Sequence, residues 1–338
     1  MRIEEDVLLS ALTTFNVGGR VRFVAHVESA PDICEAQSLA ATDDARIVVL
    51  GLGSNVLAPD EDTNTVILKV ADVSLTSKSE GDTVTLSVGA GVVWDELVAH
   101  AVTNDWWGIE NLSSIPGTVG GAVVQNIGAY GAVISDCVAD VTAYDLKTGE
   151  LRTWTRDQCA FGYRTSIFKS EDDRYVVLRV TLALSTIPSP KLLYKDLAQY
   201  FAHNKKSTLR DIRHAVQSIR ATKFPPLAEY GTAGSFFLNP TVGPDQAARI
   251  QKQYPLMPVF VLPEGGIKIP LAWFLEHVVQ VKGMRDGYVH VWREHALVIA
   301  TDTGATAAEI KQFVQKISDR TYEAIGIKIF PEVRFLKL

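Results

Sequence analysis

The 338-residue sequence has few cysteines and no pattern of them that suggests a cross-linked or metal-bound fold. The three cysteines, Cys34, Cys137 and Cys159, are an odd number at wide spacing. That spacing argues against a disulfide framework and against a zinc site. We therefore expect no bound metal and a reducing compartment, the cytoplasm.

The sequence also lacks a basic surplus and a long apolar run. It has 33 lysines and arginines against 39 aspartates and glutamates, whereas nucleic-acid-binding proteins usually carry excess positive charge. No apolar run reaches the roughly 18 residues that cross a bilayer. The acidic first residues contain no apolar stretch typical of a signal peptide. We expect a cytoplasmic monomer that binds a small molecule and neither nucleic acid nor membrane.

The pattern of apolar residues predicts an α+β fold, because short strands and helices are segregated rather than alternating as regular βαβ units. A chain this long exceeds one small core, which favours two or three domains. Strands are predicted at 21–27, 47–50, 65–70, 83–88, 138–146, 151–155, 175–184, 259–262, 296–301 and 328–335. Helices are predicted at 31–41, 93–103, 191–203, 209–221, 246–253, 271–278 and 306–324.

Three glycine-rich segments, 51–55, 89–91 and 115–131, are candidates for binding a phosphate-containing ligand. Glycine lets the backbone approach a ligand closely, and successive amides can form a nest for phosphate oxygens. None of the segments matches the ordinary dinucleotide or P-loop motif. Each segment alone is more often a structural turn, but five glycines within 115–131 exceed what a connection requires.

Three polar residues lie in apolar or aromatic contexts. Arg164 ends the tetrapeptide FGYR, Ser235 lies in AGSFFLNP, and Glu332 lies in FPEVRF. Alone, each is more commonly a surface arginine, a turn serine or an edge-strand glutamate. A carboxylate in such a strand needs a partner or a shifted pKa. Together the three would place a cation, a proton donor and an acid around one substrate.

Six segments in order carry a resemblance to a known family. They are TFNVGG (14–19), LGLGSNVL (50–57), the glycine run from IPGTVGG to QNIGAYG, FGYR, AGSFFLNP and FPEVRF. Across residues 12–335 the chain closely resembles the UDP-N-acetylenolpyruvoylglucosamine reductases, flavoenzymes of peptidoglycan precursor synthesis.

The resemblance implies a two-subdomain FAD-binding fold of the vanillyl-alcohol-oxidase (PCMH) type with a separate α+β substrate-binding domain. We expect FAD-binding subdomains at 1–72 and 73–222, the second joined by the C-terminal strand within 327–338, and a substrate-binding domain at 223–326. No histidine or cysteine matches a flavin-attachment site, so FAD should be bound non-covalently. The implied FAD-binding residues are Asn16, Val17, Gly18, Gly51, Gly53, Ser54, Asn55, Gly117, Thr118, Gln125, Asn126 and Tyr130.

The resemblance also implies the reaction. NADPH would reduce FAD, and the reduced flavin would pass hydride to UDP-N-acetylglucosamine enolpyruvate, which is then protonated to give UDP-N-acetylmuramate. Arg164 and Glu332 would stabilise charge on the substrate carboxylate, since interactions stronger in the transition state accelerate a reaction. Ser235 would donate the proton.

Further residues are implied to bind the sugar nucleotide. They are Lys223, Asn239 and Tyr194, the last belonging to the subtype whose mobile tyrosine closes over the phosphates. His295 departs from the family pattern, because many similar members have glutamine there, and whether it contacts substrate stays open.

Two alternatives remain. One is another flavin oxidoreductase of the same fold, such as an oxidase, which would lack the AGSFF and PEVRF segments. The other is a catalytically silent sensor that binds flavin or a nucleotide, which would be favoured by loss of Arg164, Ser235 or Glu332.

Overall fold

The computed structural model describes residues 1–171, 173–202, 207–262 and 265–338, and it has the predicted α+β architecture. The helices in these ranges are α1 Ala30–Thr42, α2 Trp94–Thr103, α3 Val119–Gln125, α4 Ile167–Ser170, α5 Lys195–Tyr200, α6 Leu209–Lys223, α7 Pro244–Gln253, α8 Leu271–His277 and α9 Ala307–Ile325. None of them is long and apolar enough to cross a bilayer.

The strands in the same ranges form several sheets rather than one. They are β1 Arg2–Leu8, β2 Arg20–Val27, β3 Arg46–Val49, β4 Val56–Leu57, β5 Thr63–Val70, β6 Leu75–Glu80, β7 Thr83–Gly89, β8 Gly128–Ala129, β9 Ala132–Val133, β10 Val138–Asp145, β11 Glu150–Thr155, β12 Tyr175–Ser185, β13 Thr241–Val242, β14 Phe260–Val261, β15 Ile267–Lys268, β16 Arg285–Asp286, β17 Val289–Val291, β18 Ile299–Thr301 and β19 Arg334–Phe335.

The first sheet has the order β1-β2-β5-β3, with β1 antiparallel to β2 and the other neighbours parallel. Helix α1 covers one face and begins with a capping box in which Ser29 and Asp32 satisfy free amides of the first turn. Its buried Ile33 packs in one apolar cluster with Val66 and Leu68 of β5. The loop after β3 is thereby placed at the end of a packed parallel strand.

The second sheet is antiparallel, with the order β11-β10-β12-β7-β6. Alternate residues of β7 (Val84, Leu86 and Val88) are fully buried, as the period of two predicts. They share an apolar cluster with Trp94 of α2 and Ile212 of α6. The helices that border the candidate site are thus anchored to this sheet.

Residues after Pro226 build a third region from two three-stranded sheets, β13-β15-β14 and β16-β17-β18, packed with α7, α8 and α9. Helix α9 starts with a capping box between Thr306 and Glu309 and ends at Gly326, whose φ of 67° is left-handed. Its Ile310 and Phe313 are buried in the core of this region.

The chain end returns to the first region, not to residues 73–222, so that part of the sequence-based expectation was wrong. Strand β19 pairs in parallel with β4, and Leu336 is buried in one cluster with Leu9 and Val21. Burial of the apolar end against β4 and the first sheet explains the pairing. Contact with 73–222 comes from side chains, including Arg334, whose Nη2 donates to Asp173 over 2.5 Å.

Several predicted elements differ in extent. The helix predicted at 191–203 runs only from Lys195 to Tyr200, and residue 203 lies outside the described residues. The strand predicted at 328–335 is confined to β19, and that at 296–301 to β18. Strand β1, which is mostly polar and exposed, and helix α3, which is rich in glycine, were missed.

Candidate active site

A cavity of about 1030 Å³ lies where the three regions meet. Its lining comes from the loop 51–55, the segment 114–130, the end of α6, the loop 232–235 and the residues preceding β19. That volume slightly exceeds the roughly 300–1,000 Å³ typical of small-ligand pockets, which leaves room for an extended nucleotide.

The glycine-rich loops form one wall and are joined to each other. The hydroxyl of Ser54 donates to the carbonyl of Pro116 over 2.8 Å. The amides of Ser54 and Asn55 donate no hydrogen bond among the described residues. Both residues line the cavity, so these amides are available to a ligand.

Two charged residues that the sequence did not single out hold the second loop. Ser114, with a left-handed φ of 58°, donates its amide to Oδ1 of Asp95 over 2.5 Å and accepts a 3.0 Å bond from Nε of Arg220. Arg213 binds Asp95 through two bonds of 2.7 and 2.8 Å. Burial alone would raise the pKa of Asp95, but the hydrogen bonds from Arg213 and Ser114 outweigh it and lower that pKa.

Two glycines of this wall are required by different contacts. Gly117 has a φ of +140°, and a Cβ there would lie 3.3 Å from Oγ of Ser54. Gly53 has a φ of +63°, and a Cβ there would lie 2.2 Å from the carbonyl oxygen of Leu12. Gly53 is therefore needed for packing against the protein's own backbone rather than for the close approach to a ligand that we expected from the sequence.

Eight of the twelve predicted cofactor residues line the cavity: Gly51, Gly53, Ser54, Asn55, Gly117, Thr118, Gln125 and Tyr130. Burial raises the pKa of the Tyr130 phenol to about 12, so it is a neutral donor. Thr118 caps α3 by accepting from the amide of Gly121. All eight lie within the glycine-rich segments 51–55 and 115–131, which also carry part of the resemblance to the family.

The other four predicted cofactor residues do not line this cavity. Val17 is buried at 3% exposure, and Gly18 packs against Ala58 and Leu9. Asn16, with a left-handed φ of 57°, lines a separate pocket. Asn126 ends α3, where it donates to the carbonyl of Gly162 over 2.8 Å and accepts from the amide of Ser135. The contacts of Val17, Gly18 and Asn126 support the loops, and the binding of FAD by all four residues stays a prediction.

Arg164 and Glu332 meet in the cavity although they are far apart in sequence. Nε of Arg164 lies 3.0 Å from Oε1 of Glu332, but this N–H makes no hydrogen bond among the described residues, so the contact is an ion pair. Nη2 of Arg164 donates to the carbonyl of Gly128 over 2.7 Å. Arg164 has a left-handed φ of 56°, which is uncommon for a residue with a Cβ and is frequent at functional sites.

Burial dominates the electrostatics of Glu332. It raises the pKa of Glu332 above its ordinary value, and the positive charges of Arg164 and Lys169 only partly offset it. Lys169 itself donates to the Oε1 of Gln125 over 2.5 Å. The Glu332 carboxyl is thereby poised to hold a proton more readily than an exposed glutamate.

Ser235 completes a group of three predicted residues in the same cavity. The backbone of Ser235 forms an antiparallel β-bridge with Val298. The amide of the next residue, Phe236, donates a hydrogen bond to the carbonyl of Leu297 over 2.8 Å. Backbone contacts therefore fix Ser235, while its hydroxyl makes no hydrogen bond within the described part of the chain.

The predicted substrate residues line the cavity too. Nζ of Lys223 donates to Oδ2 of Asp196 over 2.6 Å. Tyr194 precedes α5 and contacts Tyr130 edge to face, with ring centroids 5.4 Å apart. Asn239 accepts from the amide of Leu271 over 3.0 Å and donates to the Tyr163 hydroxyl over 3.2 Å, a bond that fixes its amide group.

His295 also lines the cavity, as a neutral side chain. Burial lowers its pKa to about 4, with a smaller effect from Lys223. Its Nδ1 accepts from the amide of Leu297, which leaves the proton on Nε2, and its ring stacks on Phe224. Among the described residues, no group of three or more histidine, cysteine, aspartate or glutamate side chains is placed to hold a metal ion.

Comparison with known proteins gives two matches to family models. Residues 21–155 match an FAD binding domain, and residues 225–336 match the C-terminal domain of UDP-N-acetylenolpyruvoylglucosamine reductase. Together these matches include the glycine loops, Ser235 and Glu332. The two-part fold expected from the sequence, an FAD-binding domain with a second α+β domain, is confirmed.

Relatives that align with nearly the whole chain are named UDP-N-acetylenolpyruvoylglucosamine reductase. The chain is 36% identical to UDP-N-acetylenolpyruvoylglucosamine reductase of Porphyromonas gingivalis over 99% of this chain and 100% of that protein. It is 35% identical to that of Pseudomonas aeruginosa over 98% of both chains. The crystal structure of the Thermus caldophilus reductase has a TM-score of 0.67 at 25% identity, covering 100% of both chains.

Proposed function

The chain belongs to the UDP-N-acetylenolpyruvoylglucosamine reductase family, and from this premise we propose which of its residues carry out the reaction. The protein is an FAD-dependent oxidoreductase that reduces its UDP-sugar substrate in peptidoglycan precursor synthesis. The match to the family's C-terminal domain favours this activity over an oxidase of the same fold. We propose NADPH as the reductant.

The cavity fits FAD. Its volume accommodates an extended nucleotide, and the amides of Ser54 and Asn55, which donate to no group in the described part of the chain, suit phosphate oxygens. We propose that the loops 51–55 and 114–118, with Gln125 and Tyr130, hold FAD without a covalent bond. When bound, FAD supplies a two-electron carrier between the nicotinamide nucleotide and the sugar nucleotide.

Arg164 and Glu332 suit a carboxylate on which charge develops. When hydride reaches the vinyl carbon of the substrate, negative charge spreads into its carboxylate. The fixed Arg164 guanidinium and a protonated Glu332 would each stabilise that charge, and in a partly dry site such contacts count for more than in water. The raised pKa of Glu332 supports its role as a hydrogen-bond donor rather than a second anion.

Ser235 would supply the proton that completes the reduction. Its hydroxyl has no competing partner among the described residues, and its backbone is fixed by the 297–298 segment. A serine hydroxyl is a weak acid, so its use depends on position and on the strong basicity of an enolate. We propose that Lys223, Asn239 and Tyr194 bind the sugar nucleotide beside it.

We propose that residues 1–72 and 73–222 form the FAD-binding subdomains and 223–326 the substrate-binding domain, with β19 assigned to the first subdomain. The described apolar cluster that spans 84–216 supports the second subdomain. The cluster around α9 lies mostly in residues 233–333 and also includes Phe15, Val17 and Leu57 of the first subdomain, where the two regions pack together. We also propose that the protein is a monomer in the cytoplasm. Sedimentation of the purified protein tests the monomeric state.

The observation that carries the proposal is the convergence of Arg164, Ser235 and Glu332 on one cavity beside the glycine loops. The test is NADPH oxidation by purified protein, measured with and without the enolpyruvyl sugar nucleotide. We expect turnover that depends on this substrate, and flavin that is released on denaturation. A flavin-containing protein without substrate-dependent NADPH oxidation would contradict the proposal.

A further inference from the structure

Asn111 is a buried asparagine that joins two segments at the edge of the cavity. It lies in the short turn Glu110–Leu112 between α2 and α3 and is 1% exposed. Its Nδ2 donates to the carbonyl of Tyr130 over 2.7 Å and to the carbonyl of Lys191 over 2.8 Å. An amide nitrogen carries two hydrogens, so one side chain ties together two segments that are distant in sequence.

The orientation of the Asn111 amide is set by these two partners. A carbonyl oxygen only accepts hydrogen bonds, so the nitrogen must be the atom that faces both carbonyls. The side-chain oxygen Oδ1 is buried and accepts no hydrogen bond among the described residues. Because an unpaired buried acceptor is unfavourable for stability, the favourable contribution of this amide comes from its two donated bonds.

The turn that carries Asn111 is itself firmly held. Nε1 of Trp94 donates to the carbonyl of Leu112 over 2.8 Å, and both residues are fully buried in the apolar cluster beside the second sheet. The hydroxyl of Ser113 donates to the carbonyl of Glu110 over 2.6 Å. The Asn111 side chain therefore extends from a backbone that has little freedom to move.

The first segment that Asn111 holds contains Tyr130, a proposed FAD residue. Tyr130 has a left-handed φ of 49°, a conformation that a residue with a Cβ keeps only with support from its surroundings. The bond from Asn111 to its carbonyl gives that support. The next residue, Gly131, lies against Tyr194, because a Cβ on Gly131 would be 3.9 Å from the Cβ of Tyr194.

The second segment runs from Lys191 to Tyr194 and has no regular secondary structure. Leu192 packs against the apolar cluster of the second sheet. Nζ of Lys191 donates to Oδ2 of Asp136 over 2.9 Å, but these side chains are 42% and 41% exposed, and exposed ion pairs add little stability. The bond from the buried Asn111 amide to the carbonyl of Lys191 is therefore a more effective polar anchor for this segment.

We propose that Asn111 is a positioning residue that fixes Tyr194 relative to the flavin segment. It acts through the carbonyls of Tyr130 and Lys191, and it is not among the described residues that line the cavity. The edge-to-face contact between the rings of Tyr130 and Tyr194 is the result of that placement. The inference rests on the proposed function, because it concerns the proposed contact of Tyr194 with the sugar nucleotide.

The consequence for binding follows from conformational entropy. Without the anchor, residues 191–194 would have more freedom in the ligand-free enzyme. Ordering them when the sugar nucleotide binds would then cost binding free energy, although the Tyr194 side chain is intact. Asn111 would thus raise substrate affinity without touching the substrate.

The test is a double-mutant cycle on the FAD-loaded enzyme. Asn111→Ala removes both donors, and Asn111→Ser keeps one for use if Asn111→Ala does not retain flavin. Each change is made alone and together with Tyr194→Ala. Asn64→Ala is the matched control, because Nδ2 of Asn64 also donates to two backbone carbonyls, those of Asp43 and Asp44, at an exposed position.

The measured quantity is the dissociation constant of the enolpyruvyl sugar nucleotide from the oxidised enzyme, which does not turn over without NADPH. We expect Asn111→Ala to raise it about tenfold, Asn111→Ser to raise it less, and Asn64→Ala to leave it unchanged. In the Tyr194→Ala background, Asn111→Ala should change it by less than about twofold, because the group that Asn111 positions is gone. Flavin content and flavin reduction by NADPH should be unchanged.

Three results would overturn the inference. The first is an equal effect of Asn111→Ala with and without the Tyr194 side chain, which would show general loosening of the site. The second is equal behaviour of Asn111→Ala and Asn64→Ala. The third is loss of flavin from both Asn111 variants with unchanged substrate affinity in the flavin-loaded fraction, which would restrict Asn111 to supporting the flavin segment.

These failures are distinguishable from failure of the proposed function. All three leave that function intact if the unmodified enzyme still oxidises NADPH in a substrate-dependent way. An unchanged dissociation constant in Tyr194→Ala alone would overturn the proposed role of Tyr194 and the inference with it.

Discussion

Two arginine–carboxylate pairs in this protein use the same chemical groups in opposite ways. Beside the cavity, Asp95 accepts two bonds from Arg213 and one from the amide of Ser114, and its pKa is lowered. Inside the cavity, Glu332 has a single ion-pair contact with Arg164, and burial raises its pKa.

The difference lies in how completely each carboxylate is satisfied. The Asp95 carboxylate accepts hydrogen bonds from Arg213 and from the amide of Ser114, and these bonds hold the loop that begins at Ser114. The Asp95–Arg213 pair therefore stabilises the fold. Among the described residues, Glu332 contacts only Arg164 by an ion pair, and the buried Nε of Arg164 donates no hydrogen bond of good geometry. An incompletely satisfied pair in a cavity is prepared for a ligand, whereas a saturated pair stabilises the fold.

The largest effect should follow from Glu332→Ala, which removes both the acid and the hydrogen-bonding group. We expect single-turnover oxidation of the reduced flavin by substrate to slow on the order of 10²–10⁴-fold. Glu332→Gln keeps a donor and should retain more of the rate than Glu332→Ala, because the proposed role is to donate a hydrogen bond. Equal losses in the two variants would instead indicate that Glu332 supplies a proton.

The contrasting change is Asp95→Ala, which should affect stability and flavin retention more than chemistry. Leaving Arg213 and the Ser114 amide without their acceptor should cost about 1.5–3 kcal/mol in free energy of unfolding. Chemical denaturation measures that loss, and flavin content reports on the loop. For the fraction that retains flavin, we expect the oxidation rate to stay within about threefold. A rate loss as large as that of Glu332→Ala would remove the distinction between the pairs.

The smallest effect is the pH dependence of stability, and its sign differs between the pairs. In the folded protein the pKa of Asp95 is lowered below its ordinary value of 3.8. The stabilising contribution of Asp95 to the free energy of unfolding is therefore present above pH 3.8 and is lost as the pH falls through the pKa of the folded state. In the folded protein the pKa of Glu332 is raised above its ordinary value of 4.5. The stabilising contribution of Glu332 to the free energy of unfolding is therefore present below pH 4.5 and is lost as the pH rises through the pKa of the folded state.

Neutral substitutions should therefore act in opposite directions at pH 7. Asp95→Asn should lower the Tm, and Glu332→Gln should raise it. Both differences should shrink at pH 3. Thermal melts of the flavin-loaded variants at the two pH values provide the measurement. A lower Tm for Glu332→Gln at pH 7 would show that Glu332 is stabilised as an anion, against the account.

Much of the site was predictable because its parts are contiguous. The loops 51–55 and 115–131 are visible as glycine patterns, and resemblance to the family supplied Arg164, Ser235 and Glu332. The supporting residues were not predictable, because Asp95 and Arg220 acquire their roles only from neighbours distant in sequence. No local pattern distinguishes them from exposed charges.

Some predicted elements and residues depend on long-range contacts. Val17, Gly18 and Asn126 lie in recognisable motifs and make packing and capping contacts, and their contact with FAD stays a prediction. The mostly polar β1 was missed because it is an exposed edge strand, and the pairing of β19 with β4 is a long-range contact. A local pattern carries no information about such pairings.

The most direct test of the central claim is to measure both half-reactions of Ser235→Ala. The claim is that the cavity residues act on the sugar nucleotide after the flavin has been reduced. Ser77→Ala, an exposed serine on β6, is the matched control. We predict flavin reduction by NADPH within about twofold of the unmodified enzyme, and substrate-driven oxidation of the flavin slower on the order of 10²–10⁴-fold. Equal losses in both half-reactions, or near-normal oxidation, would contradict the account.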